Sequence, residues 1–186
     1  AEYENVDISL NKKPIYDFSW SPDSKFLAYS KMNKDQVYQI YIYALDSKTI
    51  HTASNGLFYD FNPVFTPDGE HLLFVSNRSF SPTFCDMEWE MVYKNIAVIV
   101  SLNLKNDGKS ILPFKNDSET VALKESKTEP QFRIDFEGLV DRSEVLPLQP
   151  ANYRDLAVNK THLFYLNSDE GDYNKMDLGS FPAPLF

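Results

Sequence analysis

Trp20-Ser21-Pro22-Asp23-Ser24 and Phe65-Thr66-Pro67-Asp68-Gly69 decide the fold, because the same turn chemistry appears twice in near-repeated settings. Ser21 and Thr66 suit the first position of a type I turn, where a side-chain oxygen accepts hydrogen bonds from backbone amides. Pro22 and Pro67 pre-set the backbone angle of the second position, Asp23 and Asp68 suit the third, and Ser24 or Gly69 closes the turn. The flanking sequence repeats as well, from Tyr16-Asp17-Phe18 to Ser30 and from Tyr59-Asp60-Phe61 to Ser76. Pro22 and Pro67 lie 45 positions apart, and a four-stranded propeller blade takes ~40 to 50 residues.

Outward from the turns, Phe26-Leu27-Ala28-Tyr29 and Leu72-Leu73-Phe74-Val75 are apolar on both faces. A strand covered on one side should alternate; one sandwiched between stacked blades need not. A third strand follows in each unit, Val37 to Leu45 in the first and Ile96 to Leu104 in the second. The outer strands are expected at Thr49 to Ala53 and at Ser110-Ile111-Leu112, the latter after an Asn106-Asp107-Gly108-Lys109 hairpin signal. Arg78 to Lys94 is an insertion carrying Phe80, Phe84, Met87, Trp89 and Met91, and loops of this length are often functional.

Lys115 to Pro130 is polar and reads as a solvated connection. Structure is expected to resume at Phe132 to Phe136, continue as an edge strand from Arg142 to Leu148, and pair Tyr153 to Val158 with Thr161 to Leu166 across an Asn159-Lys160 turn. The expected fold is all-β: one partial β-propeller domain over residues 1–186, of about three to four blades built from four-stranded antiparallel sheets. Its units fall near residues 5–55, 56–114 and 131–186, the last incomplete.

Composition narrows the partners. The net charge of -9 repels a phosphate backbone, which disfavours nucleic acid, and disfavours docking on an anionic membrane. No stretch approaches the ~20 apolar residues of a membrane span. The single cysteine, Cys85, permits no intrachain disulfide and leaves the compartment open. Ala1-Glu2-Tyr3 does not start a signal peptide.

No catalytic, cofactor-binding or metal-ligating residue is expected, and no cofactor. There is no Gly-x-Ser-x-Gly elbow. His51, His71 and His162 fall in three different units without zinc-ligand spacing. Gly108-Lys109-Ser110 lacks the partner glycine of a phosphate loop, since Asn103 stands there. Asp169-Glu170-Gly171-Asp172 lacks the later bidentate acid of a calcium loop. No neighbouring His or second Cys activates Cys85. Asp135 and Glu137 alternate on one expected strand face, but read as structural, with a bend at Glu137-Gly138 and Arg142 available to pair the acid.

The two turn repeats resemble those of TolB-type and tricorn-type propellers. Ser76-Asn77-Arg78-Ser79-Phe80-Ser81-Pro82 and the acidic-aromatic Asp86-Met87-Glu88-Trp89-Glu90 resemble segments of tricorn-like proteins. Ile134-Asp135-Phe136-Glu137-Gly138-Leu139, followed by Arg142 and Leu146-Pro147, resembles a stretch in the seven-bladed propeller of tricorn proteases. The resemblance spans roughly residues 15 to 170. It implies a non-catalytic propeller segment of a serine peptidase, guiding or filtering oligopeptides toward a catalytic domain that this chain does not contain. The implied partners are peptides and the PDZ and peptidase domains of a parent protein, and open blade faces are expected to self-associate. The alternatives are a TolB-type protein-binding scaffold and a prolyl-oligopeptidase-type propeller; the Asp-Phe-Glu-Gly-Leu stretch disfavours the second.

Overall fold

The computed structural model describes residues 4–9, 13–80, 82–84, 91–112, 132–169 and 175–182. The regular structure among them is all-β apart from one 3-10 turn, Leu139–Arg142. β1 (Phe18–Trp20), β2 (Phe26–Met32), β3 (Tyr38–Ala44) and β4 (Thr49–Thr52) form one antiparallel sheet in sequence order. β5 (Asp60–Phe65), β6 (His71–Asn77), β9 (Ala97–Asn103) and β10 (Ser143–Val145) form the second, and β7 (Pro82–Phe84) pairs with β8 (Met91–Tyr93) as a hairpin inserted between β6 and β9. β11 (Tyr153–Val158), β12 (His162–Ser168) and β13 (Met176–Pro182) make a third sheet of three strands. The first strands meet side by side, β5 touching both β1 and β11, so the sheets stack as consecutive blades.

The repeated turns form as their residues dictate. Ser21 Oγ accepts from the Phe26 amide at 2.9 Å and donates to Asp23 Oδ1 at 2.6 Å, while Ser24 N closes the turn on Ser21 O at 2.9 Å. Thr66, Asp68 and His71 repeat the pattern: the His71 amide donates to Thr66 Oγ1 at 3.0 Å and Gly69 N to Thr66 O at 2.9 Å. The closing residue is left-handed in both, with φ 60° at Ser24 and 71° at Gly69. Only the second turn needs glycine for space as well, because a Cβ on Gly69 would lie 2.3 Å from the Phe132 ring.

Doubly covered inner strands are observed. Along β6, Leu72 and Phe74 enter the core against the first blade, with Ala28, Ile40, Ile42 and Phe65. Leu73 and Val75 enter the core against the third, with Tyr153, Leu156 and Leu163. β9 divides likewise, Val98, Val100 and Leu102 to one side and Ala97 and Ile99 to the other. Trp20 and Phe65 precede equivalent turns, yet Trp20 is 48% exposed and Phe65 5%. Phe65 plugs the space between blades; Trp20 lies on the face of the first blade that no other described blade covers.

Polar bonds tie the blades near the axis. Asp17 accepts from Ser30 and from the Asn62 backbone amide of the next blade, and Asn62 Oδ1 accepts from Leu156 N of the third at 2.5 Å. Asn62 and Asp155 share a left-handed backbone, φ 56° and 52°, where β5 and β11 each shift register. The bulge turns the amide and side chain of Asn62 toward the neighbouring strands.

Three strand expectations need correction. Ser110-Ile111-Leu112 is not the outer strand of the second sheet; β10 pairs there with β9, Ser143 opposite Leu102 and Val145 opposite Val100. Asn103 Nδ2 and the His71 ring both hold the Lys109 carbonyl, at 3.0 Å each, and Ile111 drops into the core instead of extending the ladder. The expected break between units at 114 and 131 therefore does not follow the sheets. Residues 132–138 are irregular, not a strand, so Asp135 and Glu137 share no strand face. The third sheet also gains β13, a strand the sequence reading does not place.

Candidate functional site

Antiparallel order sends the β2–β3 turn, the β4–β5 link and the β6–β9 insertion to one end of the blades, with the two Pro-Asp turns at the other. The first end collects exposed aromatic side chains. Tyr16 is 76% exposed and Phe80 61%, and Leu57, Tyr59 and Tyr93 are also open. Several of the rings here pair, in two groups: Tyr38 and Tyr59 lie 5.7 Å apart, and Phe80 lies 6.0 Å from Phe58 and 6.2 Å, edge to face, from Tyr93. Such spacings lie in the range of favourable ring pairs. Burial first, then the nearby Tyr16, Tyr59 and Asp17, pushes the Tyr38 hydroxyl above its ordinary pKa. Tyr59 OH donates to Gln36 O at 3.2 Å, fixing the rim to the β2–β3 turn.

Arg78 anchors the insertion. Its guanidinium lies 5.1 Å from the Phe58 ring centroid and 5.9 Å from that of Phe74. Its Nε donates to Ser76 Oγ at 2.7 Å, and a terminal nitrogen reaches Asp60 Oδ1 at 3.4 Å. Asp60 is wholly buried and its Oδ2 has no hydrogen-bond partner. The insertion thus springs from a half-buried arginine set on a buried carboxylate, and Phe80 and Tyr93 stand at its root. Cys85, Met87, Trp89 and the acidic stretch Asp86 to Glu90 lie outside the described residues.

A short segment, residues 4–9, crosses the free face of the first blade. Asp7 accepts from Tyr29 OH at 2.6 Å and Lys31 Nζ at 2.5 Å, and Lys31 stands 4.8 Å over the Tyr41 ring. Burial opposes the Asp7 charge, but the bonds from Lys31 and Tyr29 outweigh it and hold the carboxyl below its usual range. Burial, then Asp7, drives the Tyr29 hydroxyl far above its ordinary pKa.

The structure does not assemble the histidines. His51 stacks on Phe136 at 3.6 Å, His71 is buried with its Nε2 on Lys109 O, and His162 pairs with Thr161 on the third sheet. Among the described residues no group of three or more His, Cys, Asp or Glu is placed to hold a metal ion. Asp169 bonds through its amide to Lys175 O at 3.0 Å, with residues 170–174 outside the description. Gly108 lies in the turn after β9, packed against Asn103. Asp135 is held below its usual pKa by the Asn106 amide first, with Arg133 adding to it. Sequence reading picked out Phe80 but not Tyr16, Tyr38, Leu57 or Tyr59 as parts of one surface. Tyr16 and Tyr59 occupy the same place in the repeat, which was the available signal.

The family model for the tricorn protease second β-propeller domain matches residues 2–181. A tricorn protease homolog 1 of Streptomyces coelicolor is 30% identical over 155 residues, covering 79% of this chain and 14% of its own length. A tricorn protease homolog of Saccharolobus solfataricus is 27% identical over 176 residues, 90% of this chain and 15% of its own. The chain therefore spans less than a fifth of these relatives. Among solved structures, tricorn protease superposes with a TM-score of 0.76 at 18% identity, over 96% of this chain and 18% of that one. A TolB protein of Agrobacterium tumefaciens gives 0.58 at 16% identity, over 97% and 48%. At these identities the two superpositions describe the shared fold.

Proposed function

Starting from the chain's membership of the tricorn protease second β-propeller family, we propose that it guides oligopeptides toward a peptidase domain carried elsewhere in a parent protein. The exposed aromatic side chains Tyr16, Tyr59, Phe80 and Tyr93, gathered at one end of the blades in two ring groups, support this reading. Flat rings open to solvent bind extended peptides through ring contacts that accept many side chains, which suits guidance better than tight selection. On this reading the chain supplies walls, and the nucleophile belongs to the peptidase domain.

The test is a binding titration of aromatic-containing oligopeptides against the 186-residue chain. Replacing Tyr16, Tyr59 and Phe80 together by serine removes three exposed rings and should weaken binding about tenfold or more, at ~0.5–1.5 kcal/mol per ring. Equal binding by both proteins would remove the basis of the proposal. Peptide hydrolysis by the purified chain, blocked by a serine-directed inhibitor, would contradict the non-catalytic role. A TolB-type scaffold would instead capture a folded partner and show no preference for free peptides.

We infer further that neighbouring blades or PDZ and peptidase domains cover its open faces in the parent protein, and that in isolation the chain covers them with itself. Phe18 is 65% exposed on the first blade and Leu178 73% on the last, and such open apolar faces favour association. Light scattering should give dimers or larger species; a clean monomer at high concentration would refute the pairing.

A further inference from the structure

Beside the rim, the β2–β3 turn and the Asn55–Leu57 link enclose an open depression of about 420 Å³. Its floor is the buried amide of Gln39, whose Nε2 donates to Ser54 O at 2.6 Å. Gln39 Oε1 already accepts from Tyr41 OH at 3.0 Å and Asn33 Nδ2 at 3.4 Å. Asn33 Oδ1 accepts from the amides of Asp35 and Val37, and Asn55 Oδ1 from that of Leu57. Every side-chain amide oxygen lining the depression therefore already accepts from the protein, twice at Gln39 and Asn33 and once at Asn55. Besides the Asp35 carboxylate, what it still offers is donors: the remaining Asn33 Nδ2 hydrogen, Asn55 Nδ2 and the Lys34 ammonium.

A second lysine lines the same wall, but Asp7 takes its charge: Lys31 Nζ is 2.5 Å from Asp7 Oδ2. Lys34 is then the working cation of the depression, and Asp35 beside it disfavours a ligand with more than one negative charge. Gly56 keeps the cradle open. Its φ is +69°, and an added Cβ would lie 2.9 Å from Asn33 Nδ2 and 3.0 Å from Gln39 Oε1. Amide and ammonium donors, set against the single carboxylate of Asp35, suit a compact monoanion that only accepts hydrogen bonds, and in a peptide that group is a carboxylate. The depression joins the rim directly, since Leu57 lines it and Tyr59 bonds its turn at Gln36.

We propose that the Asn33–Lys34–Asn55–Gly56 depression is a carboxylate subsite, which orients peptides on the aromatic rim by their C-terminal end. It rests on the peptide-guiding reading but makes a separate claim. The test titrates the isotope-labelled 186-residue chain with a phenylalanine-containing tripeptide as free acid, as C-terminal amide, and as an amide with an aspartate side chain, with sodium acetate as a fourth ligand. The free acid should shift the side-chain amide signals of Asn33 and Asn55 and the backbone signal of Gly56, and bind at least fivefold more tightly than the amide. Lys34→Met should abolish that difference. Asp7→Asn, by releasing Lys31, should raise affinity for the acid two- to fivefold.

Acid and amide binding alike would overturn the subsite and leave the rim intact; no binding by either would overturn both. Equal binding of the aspartate peptide would overturn the end-directed orientation, because any carboxylate would then serve. Acetate binding as tightly as the acid would reduce the depression to an anion site without a role in peptides.

Discussion

Phe74→Ala is expected to lower the unfolding free energy by about 3–5 kcal/mol, within the range for deleting a buried phenylalanine ring. Phe74 is 1% exposed on β6 and packs with Ala28, Ile42, Phe65 and Val100 in the core between the first two blades. That core joins sheets that share no ladder hydrogen bonds, so their contact depends on side chains and on the few polar ties of Asp17 and Ser19. A ring-sized void there removes contacts from both blades. Arg78 would also lose one of the two rings beneath its guanidinium, loosening the root of the insertion. Urea unfolding of the variant against Phe80→Ala, an exposed rim ring expected to cost about 0.5 kcal/mol or less, measures the difference. A loss under about 1.5 kcal/mol for Phe74→Ala would mean that the blades close over the void.

Much of this architecture was legible because local chemistry and global packing agree. Ser21, Pro22 and Asp23 form their turn from neighbouring atoms alone, so the motif reads correctly without knowing the fold. The unbroken apolar run Leu72 to Val75 also reads correctly, since burial on two faces erases alternation. The outer edge of the second blade misled for the opposite reason. Asp107-Gly108 is a local hairpin signal, yet its strand partner comes from Ser143–Val145, some 40 residues beyond β9, across a polar stretch with no periodicity. No short-range pattern shows that Leu139 faces the core against the first blade while Leu146 faces the core against the third. The rim was hidden likewise. Tyr16, Tyr38 and Tyr59 are far apart in sequence, and only stacking brings Tyr38 within 5.7 Å of Tyr59.

Family resemblance reached furthest at the Asp-Phe-Glu-Gly-Leu stretch, and the structure gives it a physical meaning. Phe132 packs on Phe26 and Phe65, and Phe136 on Phe26 and His51, so one irregular segment bridges the first two blades at the end opposite the rim. Gly138, with φ 64°, turns the chain into the 3-10 turn that buries Leu139. Of its two acids, Asp135 takes the Asn106 amide at 2.9 Å while Glu137 is exposed, and Arg133 pairs with Asp107 of the turn after β9. The charge of Asp135 is thus occupied by the fold.

Arg142 completes that segment, and Arg142→Ala should cost about 2–4 kcal/mol, because hydrogen bonds from a charged donor contribute about 1.5–3 kcal/mol each and do not add fully. The sequence reading pairs it with a carboxylate, but its guanidinium spreads over backbone instead. It donates to Asn103 O at 3.0 Å, Glu137 O at 2.8 Å and Leu104 O at 3.4 Å, and also to Asp135 O and Asn106 Oδ1. These acceptors lie at the end of β9 and in the segment that delivers β10, so one side chain closes a loop of some 40 residues. Loop-closure entropy opposes that return, and β10 itself contributes only three residues of pairing. Without the guanidinium, Leu104 O keeps the Asp135 amide, while the other carbonyls must find water. The effect should therefore concentrate at β10: amide exchange of Leu146, whose N–H bonds Ile99 O at 2.9 Å, should accelerate more than that of β2 or β3. Arg142→Lys should recover only a minor part, since an ammonium cannot reproduce the planar fork across five acceptors. Uniform acceleration across all three sheets, or full recovery by lysine, would show that the charge matters and the fork does not.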